Sequence, residues 1–252
     1  MNDSIAVITD IHGNIYALQA VLDDIDKQKS VSHIYCLGDM IGIGPFTNEV
    51  LDCLISRPDV TVLSGNHEES VIALIKGEPY PKRNEKVKPH HQWIADRLDP
   101  SFVTWLSELP RKVTTVWGEK HLLFQHYHMR PEKESLPIVL NPYEPVDYHP
   151  TLTKIESYYQ DKANRKDLVC FGHHHPVHLF ESTDCIYLNP GSLGCYHKAF
   201  ARYGIVHNHE NNLYATLKEV PYDKSKLLSV YEKWKVPARD FILKTFHSDI
   251  RF

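Results

Sequence analysis

Residues 4–14 read S-I-A-V-I-T-D-I-H-G-N, an unbroken small and apolar run that ends in Asp10, His12 and a glycine turn. A run with no polar alternation is the pattern of a strand buried on both faces, which points to a parallel strand inside an α/β sheet. Asn14 is placed to cap a helix over 14–28, where Ile15, Leu18, Leu22 and Ile25 recur at helical spacing. The unit then repeats. Strand 33–37 ends in Gly38-Asp39, a helix is predicted near 47–55, and strand 60–63 ends in Gly65-Asn66-His67. This βαβαβ opening lines up the carboxyl ends of its strands along one edge, where ligands usually bind.

Downstream the rhythm changes. Short apolar runs at 112–117, 121–125, 168–171, 177–181, 185–188, 203–206 and 213–217 are separated by brief turns, which predicts hairpins, meanders and a second sheet. Two long connections interrupt them. Residues 76–109 read as helical with a charged opening, and 127–166 as a Pro-rich polar stretch with one helix near 151–160. Past Pro221, two helices broken at Pro237 are expected. The organisation is one domain over 1–252, with insertions near 76–109 and 127–166 and a C-terminal helical tail at 221–252.

The 252 residues are 42% hydrophobic and 24% charged, a balance that fits a globular protein and excludes disordered and fibrous classes. Lys+Arg 28 against Asp+Glu 32 gives a net charge of -4, and without a long basic run nucleic acid is not an expected partner. Apolar runs such as 5–8 and 122–124 fall far short of the ~18 residues of a membrane span. No Lys or Arg precedes Lys27, so the charged start of a signal peptide is missing and a cytoplasmic location is expected. The cysteines (Cys36, Cys53, Cys170, Cys185, Cys195) are odd in number and contain no CxxC pair, which argues against a disulfide framework or a thiolate zinc site. Cys36 and Cys170 are expected to be buried thiols.

With 17 histidines in the chain, a single one means little. What matters is that five segments each put a metal-ligand type just after an apolar strand: Asp10-Ile11-His12, Gly38-Asp39, Gly65-Asn66-His67-Glu68, His126, and Gly172-His173-His174-His175. Any one alone has a structural explanation, such as a helix cap for Asp10 or an Asx-turn for Asn66. In extended chain residues i and i+2 point the same way, so Asp10 with His12, and His173 with His175, are expected to converge while His174 points away. Pooled at one edge, two carboxylates, an amide oxygen and four imidazoles are too much polarity for a core. They suit two divalent ions in mixed N/O coordination.

The ordered set D-x-H, G-D, G-N-H-E, a lone His after a strand, and G-H-x-H resembles the calcineurin-like metallophosphoesterase superfamily across residues 10–175. Residues 38–45, G-D-M-I-G-I-G-P, and 189–192, N-P-G-S, are further similar to its small bacterial and archaeal phosphodiesterase branch. The resemblance implies an α/β (α+β) fold, a four-layer αββα sandwich of two mixed sheets flanked by helices, with a dimetal site at its top. It implies Asp10, His12, Asp39 and His175 on one metal and Asp39, Asn66, His126 and His173 on the other, Asp39 bridging. The ions would be Mn, Fe, Zn, Ni or Co, about 3.5–4 Å apart, and would acidify a bridging water into the attacking hydroxide. Asp39 and His67 are then the catalytic pair, His67 stabilising the phosphoryl oxygens and protonating the leaving alkoxide.

The chain also departs from its relatives. Phosphoprotein phosphatases and diadenosine tetraphosphatases carry G-D-x-V-D-R-G and an Arg near G-N-H, whereas residues 38–44 here contain no Arg and Ser64 precedes Gly65. A replacement phosphate-binding cation is sought in Arg130, Lys133, Lys198 or Arg202, with His128 as a possible substrate contact. His90, His91, His178 and His197 read as surface or supporting residues. The expected activity is hydrolysis of small, nucleotide-like phosphodiesters or phosphomonoesters. The alternatives are a dinucleoside polyphosphate (Ap4A-type) hydrolase, with Tyr127, Tyr143 and Tyr148 holding a base, and a non-catalytic protein-interaction scaffold of the same fold. Segment 127–166 leaves directly after His126 and returns just before His173, so it is expected to wall or cover the substrate pocket.

Overall fold

Ile5 and Val7 turn to one side of the first strand and Ala6 and Ile8 to the other, and each pair joins a different core. That alternation positions the whole fold. The computed structural model describes residues 3–159 and 165–248. In chain order the elements are β1 (Asp3–Ile8), α1 (Ile15–Ile25), β2 (Val31–Cys36), α2 (Thr47–Ile55), β3 (Val60–Val62), α3 (Asn66–Lys76), α4 (Lys88–Ala95) and α5 (Ser101–Glu108). They continue as β4 (Lys112–Trp117), β5 (Lys120–Gln125), α6 (Leu152–Glu156), β6 (Leu168–Cys170), β7 (His178–Glu181), β8 (Ile186–Asn189), β9 (Phe200–His209), β10 (Asn212–Pro221), α7 (Lys224–Lys233) and α8 (Arg239–Phe246).

Two mixed five-stranded sheets result, in the orders β10-β9-β1-β2-β3 and β4-β5-β6-β8-β7. Ile5, Val7, Leu37 and Val206 from the first sheet meet Leu122, Phe124, Leu168 and Leu188 from the second, forming the inner core of the sandwich. Tyr35 stacks flat on Phe124 across it, ring centroids 3.7 Å apart. Ala6 and Ile8 face outward against Leu18, Val50, Val71 and Leu227, which places α1, α2, α3 and α7 over the first sheet. On the outer face of the second sheet Leu123, Val169 and Tyr187 are covered by Tyr127, Ile138, Tyr143 and Ile155. Segment 127–159 is therefore a packed fourth layer built on its own apolar residues, and not a loose flap.

The helix expected after β1 forms, with Asn14 Oδ1 accepting from Ala17 N at 3.1 Å, but it ends at Ile25. The single helix expected near 151–160 is α6 followed by a 3-10 turn at Ser157–Tyr159, residue 160 lying outside the described residues. The larger difference concerns the last two strands. Runs 203–206 and 213–217, read with the second-sheet meanders, are the middles of ten-residue strands β9 and β10 and belong to the first sheet. β9 pairs antiparallel with β1, Ile5 opposite Val206, and fills the edge that the βαβ units leave open. A strand's pattern records which of its faces are buried, not which sheet it joins. All five cysteines are free, with Cys53 alone not fully buried. No described helix is long and apolar enough to cross a membrane.

Candidate metal centre

β1, β2, β3, β5 and β6 all run their carboxyl ends to the same edge of the sandwich. The segments that leave them interlock: Asp10 N donates to Gly38 O (3.1 Å), His12 N to Asp39 O (2.9 Å), and Gly172 N to His126 O (2.8 Å). The crossing is tight. Gly172 passes Thr9 Oγ1 so closely that a Cβ would collide with it, and Gly38, at φ +95, would set a Cβ 2.5 Å from Gly65 N. The convergence of Asp10 with His12 does not come from extended chain. Asp10, His12, Asp39 and His173 have φ of 52, 49, 50 and 64, the left-handed region that non-glycine residues avoid, so the loops turn the side chains inward by local strain that the interlocked backbone sustains.

The gathered atoms form two adjoining groups. In the first, His12 Nε2 and His175 Nε2 lie 3.0 Å apart, and each is 3.7 Å from Asp10 Oδ1. In the second, His126 Nε2 lies 3.3 Å from Asp39 Oδ2, 3.1 Å from Asn66 Oδ1 and 3.3 Å from His173 Nδ1. Asp39 is shared. Its carboxylate falls within 4.8 Å of His12 and His67 on one side and of His126 and His173 on the other. His174 turns away, its Nδ1 bonded to His178 Nε2 at 2.8 Å.

The orientations suit cations. His126 Nδ1 faces Leu37 O at 2.9 Å and His12 Nδ1 faces Ile41 O at 3.2 Å. A carbonyl can only accept, so both Nδ1 atoms carry hydrogen and both Nε2 atoms point into the cluster. Asp10 is fully buried. Its Oδ2 accepts from Thr9 Oγ1 (2.8 Å) and His173 N (2.9 Å), while Oδ1 has no hydrogen-bond donor at all. A buried carboxylate oxygen facing two imidazole nitrogens and no donor is costly without a cation, and hard or borderline divalent ions fit the donor set. Burial raises the Asp10 pKa and lowers those of His67, His175 and, to about 3, His173. Burial also opposes charge on His126, yet the Asp39 carboxylate against it wins and lifts it to about 9. Cys195 Sγ also lies within 4.8 Å of His12 and His175, but burial holds it as a thiol.

Supporting residues complete the site. Gly65 caps α3, so Asn66 and His67 sit at a positive helix end. Glu68, quoted with the ligand block, ties the loops together: Oε2 accepts from Gly65 N (2.7 Å) and Asp39 N (2.8 Å), and Oε1 from Ile41 N (3.0 Å). His67 Nε2 lies 4.0 Å from Asp39 Oδ2, and its Nδ1 meets His91 Nε2 at 2.7 Å. Phe246, at the end of α8, closes one side, 5.6 Å from the His175 ring.

Most of the substrate contacts sought in the sequence have other partners in the structure. His128 is buried behind the second sheet, its Nδ1 2.5 Å from Tyr159 Oη and its ring stacked on Tyr158. Arg130 pairs with Glu144. Arg202 bonds Glu219 at 3.1 Å and lies over the Tyr196 ring, and Lys198 is exposed just ahead of β9. Of the tyrosines proposed to hold a base, Tyr143 packs on His126 and His173, Tyr127 packs on His173 as well, and Tyr148 meets the His174 ring edge-on. His91, read from the sequence as a surface or supporting residue, is fully buried behind His67, whereas nothing in the sequence singles out Tyr80 and Arg83. They come from the 76–109 insertion, which carries no strand-end signal to mark them.

Fold and cluster together define a metal-dependent phosphoester hydrolase. The family model for the calcineurin-like phosphoesterase superfamily domain matches residues 4–211, and the chain belongs to that family. It is 27% identical over 208 residues to an uncharacterized protein of Methanocaldococcus jannaschii, a match spanning 75% of this chain and 76% of that one. A symmetrical bis(5'-nucleosyl)-tetraphosphatase of Paracidovorax citrulli is 31% identical over 125 residues, 49% of this chain and 44% of that protein. The chain thus spans less than half the length of that enzyme. The crystal structure of a hypothetical protein from Pyrococcus horikoshii shares the fold with a TM-score of 0.73 at 19% identity, covering 98% of this chain and 99% of the other.

Proposed function

We propose that Asp10, His12, Asp39 and His175 hold one divalent ion and Asp39, Asn66, His126 and His173 a second, and that the enzyme hydrolyses small nucleotide-like phosphoesters. The observation that carries this reading is Asp10 Oδ1, buried without a donor and 3.7 Å from both His12 Nε2 and His175 Nε2. Two ions bound there would supply Lewis acidity and lower the pKa of bound water towards neutrality. The chain's own part is positional. The Nδ1 hydrogens of His12 and His126, fixed on Ile41 O and Leu37 O, keep both Nε2 atoms turned inward. The amino end of α3 favours an anion beside Asn66 and His67. His67 Nε2 lies 4.0 Å from Asp39 Oδ2; with the Nδ1 hydrogen held on His91, it can donate to a leaving alkoxide only as the imidazolium, a form that burial disfavours and that the Asp39 carboxylate and an anionic substrate favour.

Elemental analysis of the purified protein, with turnover of an aryl phosphomonoester, an aryl phosphodiester and nucleotides, tests the reading. About two ions per chain and metal-dependent turnover support it. A protein that binds no divalent metal overturns it. The 31% identical stretch shared with the symmetrical bis(5'-nucleosyl)-tetraphosphatase favours a second reading, cleavage of a dinucleoside polyphosphate, so diadenosine tetraphosphate belongs in the panel.

A further inference from the structure

Neither of the arginine positions that relatives use for phosphate is filled in this chain, yet one guanidinium stands beside the cluster without an acidic partner. Every other described arginine either has a carboxylate within ion-pair distance or, in the case of Arg97, lies on the ring of Trp93. Arg83, in the 3-10 segment Lys82–Val87, bonds the Asn141 Oδ1 atom and lies over the Tyr143 ring, its Cζ 5.8 Å from the ring centroid, and among the described residues it has no ion pair. Tyr143 is the residue that packs on His126 (5.6 Å) and, stacked, on His173 (5.9 Å). Arg83 is solvent-accessible, and its charge acts on both Asp39 and His173. Asn141 comes from the 127–166 insertion and Arg83 from the 76–109 insertion, so their bond joins the two insertions beside the metal edge. A cation fixed next to a second source of positive charge, with the Asp39 and Glu69 carboxylates acting on it only from beyond ion-pair distance, is suited to bind an anion.

We propose that Arg83 is the phosphate-binding arginine of this enzyme, holding a non-bridging oxygen of the substrate phosphoryl group and favouring a dianionic terminal phosphate over the monoanion of a diester. This rests on the dimetal reading of the same site. One Arg83 N–H is committed to Asn141, and the rest of the fork is free for an anion. The preference follows from charge: a terminal phosphate offers one more anionic oxygen than a diester, and the guanidinium rewards the difference.

The test compares wild type with R83A and R83K, each metal-loaded. Inorganic phosphate affinity is measured by calorimetry, metal content by elemental analysis, and kcat and KM on p-nitrophenyl phosphate and bis(p-nitrophenyl) phosphate. R83A is expected to retain its metals, to bind phosphate roughly 10–100-fold more weakly and to lose efficiency on the monoester more than on the diester, with partial rescue in R83K. Unchanged phosphate affinity in a fully metallated R83A overturns the assignment, and equal losses on the two esters overturn the selectivity. A wild type that binds no metal and turns over neither ester fails the dimetal reading itself, whereas an active wild type matched by R83A fails only this inference.

Discussion

His67 Nδ1 lies 2.7 Å from His91 Nε2, both rings buried, so the histidine facing Asp39 is held from behind by a second histidine. The bond pattern assigns the hydrogens. Tyr80 Oη is 3.1 Å from Asn84 O and 2.8 Å from His91 Nδ1. A carbonyl only accepts, so the phenol proton goes to Asn84 and the phenol oxygen accepts from His91 Nδ1–H. Burial lowers the His91 pKa to about 4. The neutral ring therefore turns a bare Nε2 to His67 Nδ1–H and leaves His67 Nε2 as the atom that works in the site.

Two variants separate the chemical role of His67 from its support. His67→Ala should keep its metals while the rate falls by roughly 10²–10⁴, with a greater loss on an alkyl ester than on an activated aryl ester, whose leaving group needs little protonation. His91→Phe should lower kcat on the alkyl ester by about 10-fold while leaving KM and metal content unchanged, because it removes only the acceptor that orients His67. If both variants lose the same factor on both ester types, His67 acts through charge and not as a proton donor.

Asp39→Asn weakens the one carboxylate shared by both halves of the cluster. Loss of at least one ion per chain is expected, with turnover abolished and circular dichroism unchanged, because Leu37 and Ile8 beneath the site belong to cores of their own. Chelation of the wild type should lower its melting temperature reversibly; at a metal concentration of 100 times Kd the folded state gains about 2.7 kcal/mol. Full activity in Asp39→Asn with a single ion would sink the dinuclear assignment.

Glu68→Ala should be the most destabilising change near the site that touches no proposed ligand side chain. It strands the backbone N–H groups of Gly65, Asp39 and Ile41, all currently bonded within 3.0 Å. Buried unsatisfied donors cost about 1–3 kcal/mol each before water relieves them, so urea unfolding should show a loss of roughly 3 kcal/mol or more. Retention of wild-type stability would mean that the loops hold their shape without this side chain.

Acid should destabilise the protein well above the carboxylate range. His90 is fully buried on α4 with neither ring nitrogen bonded, and burial puts its pKa at about 3; burial, with Lys224 nearby, does the same for His247. Both folded values lie below the unfolded one of about 6.5. The unfolded chain therefore binds protons that the folded chain does not, so stability is full above pH 6.5 and declines as pH falls towards 3, by about 1.4 kcal/mol per unit for each histidine. His90→Phe, which keeps the stack on Trp93, should make the slope between pH 6.5 and 5 shallower by one proton in denaturant titrations. An unchanged slope would remove His90 from the explanation.

The strand-end blocks were legible because they are local. Asp10, Asp39, Asn66, His126 and His173 each follow an apolar run directly, and parallel strands must end together. Helix α1 and its Asn14 cap were equally plain, since capping and 3.6-residue spacing are written within a few positions. What the sequence could not carry was decided by contacts between distant segments. Left-handed backbone at Asp10, His12, Asp39 and His173 is sustained by hydrogen bonds from other loops, and no local pattern announces it. β9 reaches β1 because an edge was left open, a fact about the sheet and not about residues 200–209. Arg83, His91 and Tyr80 owe their roles to where the 76–109 insertion lands; in the chain they look like any surface arginine, histidine and tyrosine, and only burial and distance distinguish them.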